Sequence, residues 1–252
     1  MVFNMEKLLF NWASIFYTLT FIWALFKRNR YCYLFYYIAI LLNFFSVVIC
    51  LYHTIPLVPL FEKSRFIPLT YSLVCLLFLK HKHKNVSLSY ISSVSCFLSL
   101  LFCFFPKDFY LPFLQTKTIF AFLFFICEII GVSFYLLCGV LSLQRLVSKN
   151  AIFEQSIINN QIKWGIFFQT ISMFSGEIWS YLNSGSPVVL QDASVFSCIT
   201  IWFYFIGFLH LYLLKKINLH QKDFIILGGM IIIFIFFIYP ETGPFTIPGF
   251  LP

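Results

Sequence analysis

Apolar residues run along this chain in eight stretches, 8–26, 31–52, 66–79, 86–105, 118–141, 165–182, 194–214 and 223–239, separated by shorter polar or basic segments. A helix needs roughly 20 mostly apolar residues to cross a bilayer. None of the stretches shows the alternation of apolar and polar positions that marks a strand of a membrane barrel. Backbone groups in hydrocarbon must be satisfied within their own segment, so each stretch is expected to be a helix. The expected fold class is therefore all-α, a polytopic membrane helix bundle of about eight transmembrane helices. The third stretch is the shortest and opens at a proline, RFIPLT over 65–70, so a re-entrant or tilted segment is its alternative. The first stretch leads into further spans and carries no small-residue cleavage site, which makes it an anchor rather than a removed signal peptide.

Basic residues then orient the bundle. Lys27, Arg28 and Arg30 follow the first stretch, Lys80, Lys82 and Lys84 the third, Arg145, Lys149 and Lys163 the fifth, and Lys215, Lys216 and Lys222 the seventh. On the other side stand Lys7, Lys63, Arg65, Lys107 and Lys117, with none in the loop after the sixth stretch. Lys and Arg accumulate in cytoplasmic loops, so both termini are expected to be non-cytoplasmic. The longest polar interval, SKNAIFEQSIINNQIKW over 148–164, falls on the cytoplasmic side. With Ile152, Phe153, Ile157 and Ile158 loosely at helical spacing, it is expected to be a surface helix joining two halves of the bundle.

Composition strengthens this picture and removes others. The 252 residues are 61% hydrophobic and include 36 Phe, against about 45–50% apolar in soluble domains. The net charge of +8 sits in short clusters between apolar runs, which is how topology is encoded, so no nucleic-acid partner is expected. No soluble catalytic domain has room here, and the expectation is a single integral membrane domain over 1–252 that is not an enzyme. The eight cysteines lie inside apolar runs without a Cys-x-x-Cys pair, and read as small core residues rather than as a disulfide or metal framework.

Few residues can carry chemistry. Glu128 lies about ten residues into the fifth stretch, roughly 15 Å from its outer end. A carboxyl there is costly and marks a functional candidate; a structural alternative is a hydrogen bond from Gln169, Asn43 or a serine of another helix. Glu177 lies closer to interfacial water. Asp192 precedes the seventh stretch, where helix capping alone accounts for a carboxylate. His210 stands among Phe, Leu and Tyr near the cytoplasmic end of that stretch, either as a hydrogen-bonded structural residue or as a ligand. His53 is at the outer end of the second stretch, and His81, His83 and His220 accompany the cytoplasmic lysines.

Several of these residues form a frame. Gly176 and Trp179 make a Gly-x-x-Trp ending to the sixth stretch; Asp192 lies ten residues before Trp202; Phe208 to His210 reads Phe-Leu-His. Upstream, LPFLQTKTIF over 111–120 contains a Pro-x-Leu-Gln segment, and 53–69 ends in Pro68 and Leu69. In this frame the chain resembles the cytochrome c assembly family of haem-handling membrane proteins, which includes CcsA, CcmC and HemX. The family core would cover about 66–252, with its tryptophan-rich loop at 184–193.

The resemblance implies a haem-handling membrane protein for cytochrome c biogenesis, in a bacterial inner membrane or a thylakoid-type organellar membrane. Haem would be its cofactor, with His210 as the iron ligand and Trp179, Asp192 and Trp202 around it. A CcsB-like membrane protein and apocytochrome c would be partners, along with the lipid bilayer. The chain departs from the family at three places. The loop SGSPVVLQDAS has no Trp, and the positions of the two external axial histidines are occupied near Phe122 and Leu251. Two other roles stay open: a HemX-like regulator acting on glutamyl-tRNA reductase, and a small permease using Glu128.

Overall fold

The computed structural model describes residues 3–26, 29–54, 63–80, 87–107, 118–147, 155–186, 193–213 and 217–248. Among these the chain is all-helical, with no strand: α1 (Phe3–Leu25), α2 (Asn29–Thr54), α3 (Lys63–Lys80), α4 (Leu88–Phe104), α5 (Ile119–Val147), α6 (Gln155–Ser184), α7 (Ala193–Leu213) and α8 (Leu219–Ile233). Each apolar stretch coincides with one helix. Four segments, Met5–Leu25, Tyr31–Tyr52, Ile119–Val147 and Leu219–Glu241, are long and apolar enough to cross a membrane, while Leu88–Phe104 and Val195–Leu211 are shorter apolar helices. α3 carries Lys63, Arg65 and Pro68, and α6 opens with three polar turns from Gln155. All eight cysteines are buried free thiols.

The chain divides into two compact units. Unit 1 comprises Met1–Lys82, Ser87–Tyr110 and Glu241–Pro252, and so holds α1 to α4. Its helices are stitched by short polar side chains. Tyr36 Oη and Ser95 Oγ are 3.2 Å apart, as are Ser72 Oγ and Ser95 Oγ, and Ser14 donates to the Ser99 carbonyl at 3.2 Å. Such hydrogen bonds replace the hydrophobic drive that helices lack when their surroundings are equally apolar. Pro68 interrupts α3, having no N–H to donate. Asn43 of α2 lies against that turn: with its amide oriented to suit both groups, the nitrogen donates to the Arg65 carbonyl and the oxygen accepts from the Leu69 N–H, both at 3.3 Å.

Charge in unit 1 is gathered and paired. Arg65 binds Glu6 at 3.0 Å and Lys107 binds Glu241 at 3.7 Å, with both carboxylates buried. The segment around Glu241 is tied to the end of α4 by Gly243 N–H to Phe105 O (3.0 Å) and Thr246 N–H to Phe104 O (2.8 Å). Gly243 is required there, because a Cβ would overlap the Pro106 carbonyl.

Unit 2 comprises His83–Val86 and Leu111–Pro240, and so holds α5 to α8. Its axis is the antiparallel α5–α6 pair. On α5 the positions 124, 128, 131, 135, 138, 142 and 145 recur at three- and four-residue steps; on α6 so do 158, 162, 165, 169, 172, 176 and 179. Residues at such spacing share one helix face. All of these are buried except Arg145, which is partly so. Contacts set the register: Ser172 donates to the Phe124 carbonyl at 2.8 Å, Gly131 lies against Gln169 and Gly165, Tyr135 covers Gly165, and Cys138 Sγ donates to the Ile158 carbonyl at 3.6 Å. Small residues let the backbones approach. α8 packs on α5 beside this stripe, where Gly139 leaves room for Met230.

Candidate functional site

Two places in unit 2 hold the candidate chemistry. The first is the outer face of α7. His210 is exposed, and its Nδ1 lies 2.9 Å from the Ile206 carbonyl one turn back. A carbonyl only accepts, so Nδ1 carries the proton and Nε2 keeps the lone pair that binds metals. Phe203, Gly207 and His210 recur at four- and three-residue steps, and all three are exposed. Nothing occupies the space a Gly207 Cβ would enter. The result is a flat notch between a phenyl ring and an imidazole.

The second is the middle of the α5–α6 seam. Glu128 is fully buried, between Phe124 one turn before it and Gly131 one turn after. The register therefore sets it level with Gln169 and Ser172 of α6. Gln169 Nε2 donates to Cys198 Sγ of α7 at 3.1 Å, and Ser172 Oγ lies 3.9 Å from the same sulfur. Gln169, one of the donors expected for Glu128, is thus on the facing side; Asn43 lies against the proline turn of α3 in unit 1.

The frame residues do not gather into one site. Trp179 is 4% exposed and stacks on Phe124 (centroids 6.2 Å, 18°), with Gly176 against the same ring. Trp202 donates its Nε1–H to Thr170 Oγ1 at 2.9 Å. That bond sets the α6–α7 register. His210 is eight residues beyond Trp202, about 12 Å along the axis, and Trp179 is nine beyond Thr170 in the other direction, about 13 Å. Among the described residues the frame is therefore a packing frame with His210 at one end and Trp179 at the other. Phe122, where the resemblance puts an external histidine, is exposed on α5. Asp192 and Leu251 lie outside the described residues, as do His81 and His83; His53 belongs to α2, but its side chain is not described. Among the described residues no three His, Cys, Asp or Glu converge as a metal site.

One constellation escaped the sequence reading. Arg145 of α5 forms a bidentate pair with Asp223 of α8, Nε donating to Oδ2 at 2.7 Å and the second nitrogen to Oδ1. It also donates to Gln155 of α6, whose Nε2 donates to Asn159 Oδ1 at 3.2 Å. The pair joins three helices at one end of the unit. Its signal was the seam periodicity, since Arg145 continues the stripe that contains Glu128.

Comparison with protein-family models, with curated proteins and with solved structures finds no match. What the coordinates define is an all-helical protein, four of whose helices are long and apolar enough for a membrane.

Proposed function

We propose that the chain is an integral membrane haem-handling protein of cytochrome c assembly type, crossing the bilayer eight times with both termini non-cytoplasmic. The observation that carries the reading is His210: an exposed imidazole whose Nδ1 is held by the Ile206 carbonyl, leaving Nε2 directed away from that bond. The fit is to one axial position. Haem, when bound, would supply the iron for this ligand and the macrocycle for the notch at Gly207 and Phe203. The Ile206 carbonyl fixes the ligand tautomer, and the Phe203 ring would give the macrocycle an apolar contact. A second ligand would come from a second copy or from a CcsB-like partner, on the way to apocytochrome c.

The charge pattern supports the orientation. Lys63, Arg65 and Lys107, three of the five basic residues on the outer side, are drawn toward Glu6 and Glu241 rather than free to act as topological signals. The cytoplasmic excess of Lys and Arg is correspondingly clearer. A bacterial inner membrane or a thylakoid-type membrane suits this function.

The test is an absorption spectrum of detergent-purified protein titrated with haem. A saturable Soret band that His210→Ala abolishes is the expected result. A band of equal intensity in His210→Ala, or none in either protein, would sink the proposal.

A further inference from the structure

Three fully buried polar atoms along the α5–α6 seam and its flank have no protein partner: Tyr135 Oη, Ser142 Oγ and Gln169 Oε1. Buried polar atoms are bonded to protein or to ordered water, and buried water settles where several such groups converge. Their arrangement is a ladder. Positions 128, 131, 135, 138, 142 and 145 step along α5 by about 4.5–6 Å. At 131 the residue is Gly, and Gln169 Oε1 fills that rung from α6, only 2.8 Å from where a Cβ would be. Side chains one helix turn apart are within reach of a shared water, since two hydrogen bonds through one water span about 5.5 Å.

The ladder's ends differ. Beyond Glu128, Phe124 is stacked on Trp179 and packed on Gly176, a wholly apolar stopper. At the other end stand Arg145, Asp223 and Gln155, charged or amide groups, with Arg145 partly exposed. Tyr135 in between is held rigid by a parallel stack on Phe205, centroids 3.7 Å apart.

We propose that the α5–α6 seam is a single-file water path that gives Glu128 access to protons from the Arg145–Asp223 end alone. A Glu128 carboxylate oxygen forms its O–H bond as the adjacent water gives up a proton, and that water is reprotonated by the next one along the file. No electron moves and no co-reactant is needed. The titratable and charged groups along this path are Glu128, Tyr135, Cys138 and Arg145 on α5, Cys198 on α7 and Asp223 on α8, with Tyr204 of α7 nearby and Cys127 on the neighbouring face of α5. Tyr204 is engaged with the Ile225 carbonyl, and Cys198 with Gln169 and Ser172. A carboxyl loaded from one side is the element a proton-coupled carrier requires. The path does not involve His210 and is independent of the haem reading.

The silver ion is a suitable probe, since it is small and reacts with thiols that water reaches. Two variants each keep one native cysteine, Cys138 on the ladder or Cys127 beside it, with the other seven replaced. In oriented vesicles, silver added at the Arg145–Asp223 side should block later maleimide labelling of Cys138 at least about tenfold faster than silver from the other side, and about tenfold faster than it blocks Cys127. Equal rates from both sides, or a Cys138 as slow as Cys127, would overturn the path. Hydroxyl-radical footprinting of the unmodified chain covers the case of variants that do not fold. Tyr135 should be oxidised well above Phe124 and Phe125, which are equally buried; rates no higher than theirs would also overturn it. His210→Ala should change neither measurement.

Discussion

The two units are both helical and both apolar on the outside, yet they treat interior polarity in opposite ways. In unit 1, Ser72, Ser95 and Tyr36 bond one another, Asn43 lies against the proline turn of α3, and the carboxylates of Glu6 and Glu241 stand beside cations near the helix ends. In unit 2 a carboxyl is carried inside the longest helix pair, along a seam where Tyr135 Oη, Ser142 Oγ and Gln169 Oε1 have no protein partner. The first pattern offsets most of the cost of burial, Tyr17 Oη being a buried hydroxyl left without a bond, and needs no function to explain it. The second leaves polar atoms without protein partners around a buried carboxyl, which is where a functional site is sought first.

Mutations that break the two patterns should have effects of different size and sign. The largest is expected at Asp223→Ala, which leaves Arg145 buried without its carboxylate and should cost about 3–5 kcal/mol in thermal or denaturant unfolding. The double variant Arg145→Met, Asp223→Leu should recover most of that loss; no recovery would show that the pair does more than balance charge. Next is Gly165→Ala, which drives a methyl into the Tyr135 ring and should cost about 1–3 kcal/mol. An effect below this would mean that the seam is looser than its contacts imply.

Smaller, but sharper, is a pair of identical changes. Tyr36→Phe in unit 1 removes a hydroxyl bonded to Ser95 and should cost about 1 kcal/mol. Tyr135→Phe in unit 2 removes a hydroxyl without a protein partner. A dry seam makes that change stabilising by about 1 kcal/mol, and a watered one makes it destabilising by a similar or smaller amount. The sign, read from unfolding midpoints, distinguishes them, and the proposal requires a loss. Smallest for stability is His210→Ala, an exposed site whose loss should leave the unfolding midpoint unchanged while removing the Soret band.

Much of the fold was legible because apolar length is a one-dimensional property, and each of the eight stretches became a helix. α6 shows where that signal stops. Its first turns were expected to be a surface helix joining two halves of the bundle, yet Ile158 and Ile162 are fully buried there. An amphipathic turn buries one stripe, and average hydropathy cannot see a stripe. Glu128 was visible as a costly residue, and Gln169 was among its expected donors. The pairing of Arg145 with Asp223 was not visible, because each looked like a membrane-flanking charge and nothing in sequence distance relates them. Lys63, Arg65 and Lys107 were hidden for the same reason. His210 could be named from the chain, but its locked tautomer depends on the side-chain rotamer and needed coordinates.

The closure of unit 1 by Gly243 and Thr246 has a consequence for how the molecule is made. The backbone bonds from these residues to Phe104 and Phe105, and the Glu241 contact with Lys107, join segments that are synthesised far apart in time. At about 5–20 residues per second the ribosome must deliver all of α5 to α8 before the first four helices receive their final strap. A nascent chain stalled after α4 would carry an unfinished bundle edge.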